Sequence, residues 1–257
     1  MPVFKTEAIV LGRTDYSNSS QIVTFYTRNH GKIRTIAKGF KRSSGKRSPK
    51  AVDLLTHYQI LFIKKEHSSL HILTDAILQN NYPPFRNDLD KYYKASCIAE
   101  LLNEFTEEDA SSGPLFDICL HALSGISIHA DTIVPLLAFE IKMLKILGYL
   151  PELRHCVHCK NNIQYISRTY FSAKEGGVIC NECQEMLKGG ILVPVGAVLI
   201  ARRLADFNIQ RMDRVKIQSS ICIEIEKMLR YYIVFILNKK LNSWKYMNLD
   251  ENVLWVP

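Results

Sequence analysis

The chain has 257 residues, 47% of them apolar and 23% charged, with Gly 12, Pro 9 and a formal net charge of +8. That composition supports a buried core and excludes collagen-like and largely disordered chains. The longest uncharged apolar-rich run, residues 191–201, contains Pro194 and Gly196 and stops at Arg202 and Arg203, well short of the roughly 20 residues of a membrane span.

Residues 1–80 read as strands. Segments 8–11, 21–27, 32–38, 55–63 and 70–78 are rich in Ile, Val, Thr, Tyr and Phe. Turn signals lie between them: Asp15-Tyr16-Ser17-Asn18, Asn29-His30-Gly31 and His67-Ser68-Ser69. Five short strands in so few residues predict a small closed barrel of the OB type. The charge is concentrated here. Residues 1–80 hold 13 basic and 5 acidic side chains, whereas residues 81–257 hold 20 of each. Arg28, Lys32, Arg34, Lys38, Lys41, Arg42, Lys46, Arg47 and Lys50 follow one another with no acid between them. Lys32, Arg34 and Lys38 alternate along one strand and share a face. Lys41, Arg42, Lys46, Arg47 and Lys50 belong to the small, polar loop after it. Any one of these lysines is adequately explained as solvated, but the group can track a phosphate backbone. Tyr16, Tyr26, Phe40 and Tyr58 are candidates for base stacking, with Phe40, inside the basic run, foremost. Barrel aromatics more often fill the core.

Tyr82-Pro83-Pro84-Phe85 marks a boundary, because two prolines continue neither a ladder nor a helix. Beyond it the apolar period becomes helical. Ile98, Leu101, Leu102 and Phe105 share a face, as do Leu115, Phe116, Cys119, Leu120 and Leu123. Leu136, Leu137, Ile141, Leu144 and Leu147 do the same, with Glu140 interrupting. Gly148 and Pro151 end that helix, and residues 195–206 and 219–238 form two more. The acidic stretch Glu107-Glu108-Asp109 reads as a solvated turn.

Four of the seven cysteines form the pattern C-x2-C-x20-C-x2-C: Cys156, Cys159, Cys180 and Cys183. Two residues between cysteines let a tight turn aim both sulfurs at one point, and two such knuckles complete a tetrahedron around zinc. Four thiolates leave no open position, so the expected ion is structural, one Zn2+ per chain. Disulfides are disfavoured in a cytoplasmic chain, and His155 or His158 stands as an alternative ligand. Ile163-Gln164-Tyr165-Ile166 and Tyr170-Phe171 suggest a short strand pair between the knuckles. Cys97, Cys119 and Cys222 fall on apolar helix faces and read as core. No Walker loop, H-E-x-x-H or G-x-S-x-G occurs, so a binding protein is expected rather than an enzyme. The opening Met-Pro-Val-Phe-Lys-Thr-Glu carries no apolar signal-peptide core, and a cytoplasmic protein with no membrane association is expected.

The expected fold class is α+β: an OB-fold β-barrel (1–80) followed by an α-helical domain (81–257) with an inserted four-cysteine zinc finger (152–190). In that order the features resemble the RecO recombination-mediator family. Thr6 to Leu11, Asp15 to Thr24, His30-Gly31-Lys32-Ile33 and Ala37-Lys38-Gly39 resemble its barrel. Tyr82 to Arg86, Phe139-Glu140 and Leu147 to Pro151 resemble its linker and the helix before the knuckles. Phe171 to Gly177 with Cys180 resembles its second knuckle. The resemblance implies a nucleoid-associated DNA-repair accessory protein that binds single- and double-stranded DNA and anneals complementary strands. It implies partnership with RecR in loading RecA onto DNA covered by single-strand-binding protein, whose acidic C-terminal tail meets the helical domain. That domain is neutral as a whole, so such a tail needs local cations. Lys142 and Lys145, or Arg202 and Arg203, are the candidates, although the two lysines alone read equally as the wet side of a helix. Competing readings are a zinc-stabilised RNA-binding factor and a protein adaptor whose basic loop holds acidic tails.

Overall fold

The computed structural model describes residues 2–40, 52–163, 167–187, 189–210 and 215–247. The chain divides into two compact units, Met1–Leu120 and His121–Pro257.

In the first unit, β1 (Val3–Asp15), β2 (Gln21–Thr27), β3 (Gly31–Ala37), β4 (His57–Ile63) and β5 (Leu70–Asn80) close a barrel in the order β1-β2-β3-β5-β4. All neighbours are antiparallel except β3 and β5. β1 is long because it serves two partners. Val3 to Ile9 pair with β4, and Ala8 to Asp15 pair with β2 past a bulge between Val10 and Gly12. A bulge bends and twists a strand, which is what closing five strands requires. Period-two alternation then sorts the side chains. Ala8, Val10, Val23, Phe25, Ile33, Tyr58, Ile60, Phe62 and Leu73 fill the interior. Phe40 and Val52 belong to the same core, so both feet of the basic segment 41–51 are plugged into the barrel.

Two helical elements follow the prolines: the single turn α1 (Pro84–Asn87) and then the full helix α2 (Leu89–Phe105). The Asp88 side chain accepts the Lys91 N–H at the start of α2. At its end the Thr106 hydroxyl donates to the Leu102 carbonyl at 2.6 Å. The acidic stretch after α2 is not a free turn. The Asp109 N–H donates to the Lys32 carbonyl at 3.1 Å, and its carboxylate meets Lys64 Nζ at 2.6 Å. This segment docks on the β2–β3 hairpin, where Gly31 has φ +63 and a Cβ would lie 2.4 Å from the Ala110 oxygen. The compact unit therefore runs past the Pro83-Pro84 linker. Helix α3 (Gly113–Ile128) carries the chain onward, and its Phe116 stacks against Tyr26 with centroids 6.3 Å apart.

The second unit is built around α4 (Ile133–Ile146), buried on every side from Val134 to Leu144. Such a helix needs cover all round, and α6 (Val195–Asp206) and α7 (Ser219–Leu237) pack on it. α4 ends in a Schellman motif: Tyr149 N–H donates to Leu144 O at 2.8 Å and Gly148 N–H to Lys145 O at 3.2 Å, with Gly148 at φ +80. Glu226 and Arg230 form a buried ion pair at 2.6 Å on α7, with Arg230 over the Trp244 ring. A three-stranded sheet, β7-β6-β8, is formed by β6 (Arg168–Ser172), β7 (Gly177–Ile179) and β8 (Ile191–Pro194). Between β7 and β8 lies the short helix α5 (Asn181–Leu187). The partners of Tyr170 and Phe171 are thus Ile179 and Val178 on one side and Leu192 and Ile191 on the other. They are not Ile163, and residues 164–166 of the expected pair lie outside the described residues. Cys97, Cys119 and Cys222 are buried, as their apolar faces required. No helix among the described residues is long and apolar enough to cross a membrane.

Gly31 and Gly148 are both left-handed but differ in their surroundings, since nothing lies within 4 Å of a Cβ at Gly148. Gly148→Ala is expected to cost about 1 kcal/mol, the left-handed penalty alone. Gly31→Ala adds a backbone clash and is expected to cost about 3 kcal/mol. Urea unfolding of both variants checks the difference.

Candidate functional site

The four spaced cysteines meet in the second unit. The sulfurs of Cys156, Cys159, Cys180 and Cys183 all lie within 4.8 Å of one another, and Cys159 Sγ to Cys180 Sγ is 3.7 Å. Sulfurs about 2.3 Å from a central zinc define a tetrahedron with edges of about 3.8 Å, so the donor set fits that ion. Local structure aims the sulfurs. In the first knuckle Lys160 N–H donates to the Cys156 carbonyl at 3.0 Å, and in the second Cys183 N–H donates to the Cys180 carbonyl at 3.1 Å. Sheet period two supplies the floor: Tyr170 and Ile179 pack on the cysteines, while Phe171 faces Tyr232 of α7. Glu152 braces the entry to the first knuckle. Its carboxylate accepts the N–H groups of Arg154 and His155 at 2.7 and 3.1 Å. Burial opposes its ionisation, but those two bonds outweigh it and hold the carboxyl below its usual range.

Burial pushes the Cys156 thiol up, but N–H groups of Cys180, Cys159 and His158 aimed at its sulfur bring it down to about 6. Burial and then the sulfurs of Cys180, Cys159 and Cys156 push Cys183 up to about 12. Crowded thiolates repel; a dication at their centre reverses the sign of that crowding and makes all four ligands. Neither His155 nor His158 belongs to the cluster among the described residues.

The basic residues of the first unit fall into three groups. Lys41, Arg42, Lys46, Arg47 and Lys50 lie outside the described residues. Arg34 and Lys38 are exposed. Arg34 stands on the outer face of β3 opposite Thr24, in the same register as Lys32 opposite Tyr26, so the shared face expected from alternation is present. Arg28 and Lys32 have other employment. Arg28 meets Glu7 at 2.6 Å and Asp117 at 2.7 Å, and lies 4.8 Å over the Phe116 ring. Burial works against its charge, but bonds to Asp117 and Glu7 outweigh that and raise its pKa. Lys32 Nζ donates to the Asn103 carbonyl at 2.6 Å. Its ammonium is lowered by burial, with Glu104, Glu108 and Glu107 opposing. These two cations fasten the barrel to α2 and α3.

The aromatic candidates are reordered. Phe40, Tyr26 and Tyr58 are core residues, 7%, 0% and 3% exposed, whereas Tyr16 in the β1–β2 turn is 64% exposed. A basic neighbourhood does not show which way a ring points. Phe40 sits where the chain leaves the barrel wall, and the interior takes it.

In the second unit Lys142 and Lys145 are not the wet side of α4. Lys142 is buried, and both ammonium groups point at the Ala205 carbonyl, at 3.2 and 3.4 Å. They complement the negative C-terminal end of α6. Lys145 also meets Asp206 at 2.7 Å, as does Arg154 at 3.1 Å. Burial, then Lys145 beside it, lowers Lys142; the hydrogen bond from Lys145 lowers Asp206 first. Arg202 is half-buried and Arg203 exposed on α6. Arg154 is a member of this cationic corner that spacing could not show, because it arrives from the knuckle segment.

Comparison with known proteins covers both units. Residues 1–82 match the family described as Recombination protein O N terminal, and residues 86–245 match Recombination protein O C terminal. The chain is 33% identical over 250 residues to the DNA repair protein RecO of Syntrophus aciditrophicus, covering 96% of this chain and 95% of that one. It is 30% identical to the DNA repair protein RecO of Bacillus pumilus (98% and 96% covered), and 28% identical to that of Bacillus subtilis (97% and 95% covered).

The cysteine cluster gives a metal-removal test. The purified chain is expected to hold one divalent ion. Cys156→Ser should abolish that content and lower the melting temperature of the second unit, because metal binding free energy is folding free energy here. Cys222→Ser should leave the content unchanged. Elemental analysis with thermal scans reads both.

Proposed function

Because the chain belongs to the RecO family of DNA repair proteins, we propose that it binds single- and double-stranded DNA, anneals complementary strands and, with RecR, helps load RecA onto DNA covered by single-strand-binding protein. One observation carries this reading: the entire charge excess lies in the first 80 residues, and its densest segment is anchored at Phe40 and Val52 in a closed barrel. A basic segment with fixed feet offers phosphate contacts at low ordering cost. Arg34 and Lys38 extend it along the outer face of β3. Annealing needs no bond chemistry. Cations screen the repulsion between two backbones until bases pair, so the protein acts by binding and not as an enzyme.

The metal ion is zinc, one per chain and structural. Four cysteine sulfurs would hold it with no position left for water, and it would lock two knuckles together. The acidic tail of single-strand-binding protein docks on the second unit, where Lys145, Arg154 and the adjacent Arg203 supply cations. Lys142 serves the α6 terminus instead. The site of action is the cytoplasm, at the nucleoid.

Strand annealing in the presence of single-strand-binding protein tests the reading. If about five phosphates are contacted, log K for a single strand falls with log salt at a slope of roughly −3 to −4. Reversal of Lys41, Arg42, Lys46 and Arg47 to Glu should weaken binding at least tenfold, flatten the slope and stop annealing. An unchanged slope rejects the basic segment as the interface. Competition with RNA of the same sequence reads the nucleic acid preference.

A further inference from the structure

Asp53 is the sole acid between residues 16 and 65, a stretch with eleven lysines and arginines. The structure gives this acid to two arginines at once. Arg13, near the end of β1, donates from Nη1 to Asp53 Oδ1 at 2.7 Å and to the Val52 carbonyl at 3.0 Å. Arg86, on α1, donates from Nη2 to Asp53 Oδ2 at 3.2 Å and from Nη1 to the Asn81 carbonyl at 2.6 Å. Each carboxylate oxygen thus faces a different guanidinium. All three side chains are between a third and a half exposed. They line a cleft of about 170 Å³ whose other walls include Leu54, Leu55 and Tyr92.

Two oxygens of one anion, each on its own guanidinium, is also how a phosphodiester presents its non-bridging oxygens to an arginine pair. The carbonyl bonds of Arg13 and Arg86 hold both forks in place, so the seat is formed in advance. The cleft is smaller than the roughly 300 Å³ at which whole-ligand pockets begin. It suits one phosphate of a strand that continues beyond it. Its position suits the same occupant, because Val52, held by Arg13, is the first residue after the basic segment 41–51. Half-buried Tyr92 and the leucines offer an apolar surface to an unstacked base, which a single strand has and a duplex does not.

We infer that Arg13 and Arg86 form a phosphate seat for single-stranded DNA, and that Asp53 is an internal competitor occupying the seat until a phosphate displaces it. Displacement needs only a side-chain rotation, since the Asp53 N–H remains on Tyr58 Oη at 3.3 Å. The inference rests on the DNA-binding reading above and adds a site and a built-in limit on affinity.

The test uses the full chain and a labelled oligothymidylate of about 20 nucleotides, longer than one barrel's site, followed by anisotropy across a salt series. Asp53→Asn should bind roughly fivefold tighter, because the competing charge is gone. Arg13→Ala with Arg86→Ala should bind roughly tenfold weaker, with a slope flatter by about 1.4, two contacts at about 0.7 each. Combining all three changes should erase the gain from Asp53→Asn. If the alanine pair does not fold, Arg13→Lys with Arg86→Lys keeps the charges and loses the forks; weaker binding supports the seat and unchanged affinity overturns it. A wild-type chain that binds while Asp53→Asn shows equal or lower affinity at native melting temperature overturns the seat alone. A wild-type chain that binds no oligonucleotide overturns the DNA-binding reading and the seat together. If Asp53→Asn tightens an acidic peptide but not the oligonucleotide, the cleft is a peptide site and the inference fails.

Discussion

Barrel closure is the constraint on which the first unit depends. Four antiparallel pairings leave β3 and β5 as the two free edges, and their parallel pairing over Arg34 to Ala37 removes both. Once the wall is closed, period two decides every side chain: inward residues must be apolar and outward ones face water or a helix. The bulge in β1 is the geometric consequence, because one strand must curve across two partners. The positions of Phe40 and Val52 follow as well. Both are drawn inside, and the segment between them is held at two points rather than one.

Charge in this unit is therefore divided by geometry. Some cations are neutralised within the fold: Arg28 by Glu7 and Asp117, Lys64 by Asp109. These contacts join the barrel to the segments that follow it, and as half-exposed ion pairs each contributes modestly. Arg34 and Lys38 stay outward, next to the basic segment. A net charge of +8 therefore overstates the cations available to a polyanion on the described surface, while the concentration of charge in residues 1–80 still describes where they lie.

The second unit obeys a different constraint. α4 is apolar enough to need helices on every side, and its lysines are satisfied by the end of one of them, the Ala205 carbonyl of α6. The small sheet is too short to stand alone. One of its faces packs on α7 through Phe171 and the other on the cysteines through Tyr170. A dication in the cluster would thus stabilise the sheet that α7 packs against, and so connect metal content to the packing of the unit.

The sequence by itself determined the elements. Alternation marked all five barrel strands, the 3.6-residue period marked 195–206 to the residue and 219–238 to within one, and Cys156, Cys159, Cys180 and Cys183 were a site by spacing alone. These signals are local: neighbours in the chain report on one another through fixed backbone periods and tight turns. The tertiary structure alone decided what each charged or aromatic side chain faces. Arg28 was one of nine cations until Glu7, twenty-one residues before it, and Asp117, eighty-nine after it, were brought to its guanidinium. Phe40 was a stacking candidate until the barrel closed over it. Lys142 and Lys145 were ambiguous until the end of α6, some sixty residues on, supplied their carbonyl. Arg13, Asp53 and Arg86 were unremarked for the same reason. A charge is specified by its residue, but its partner is specified by the fold, and long-range pairing leaves no period in the sequence to read.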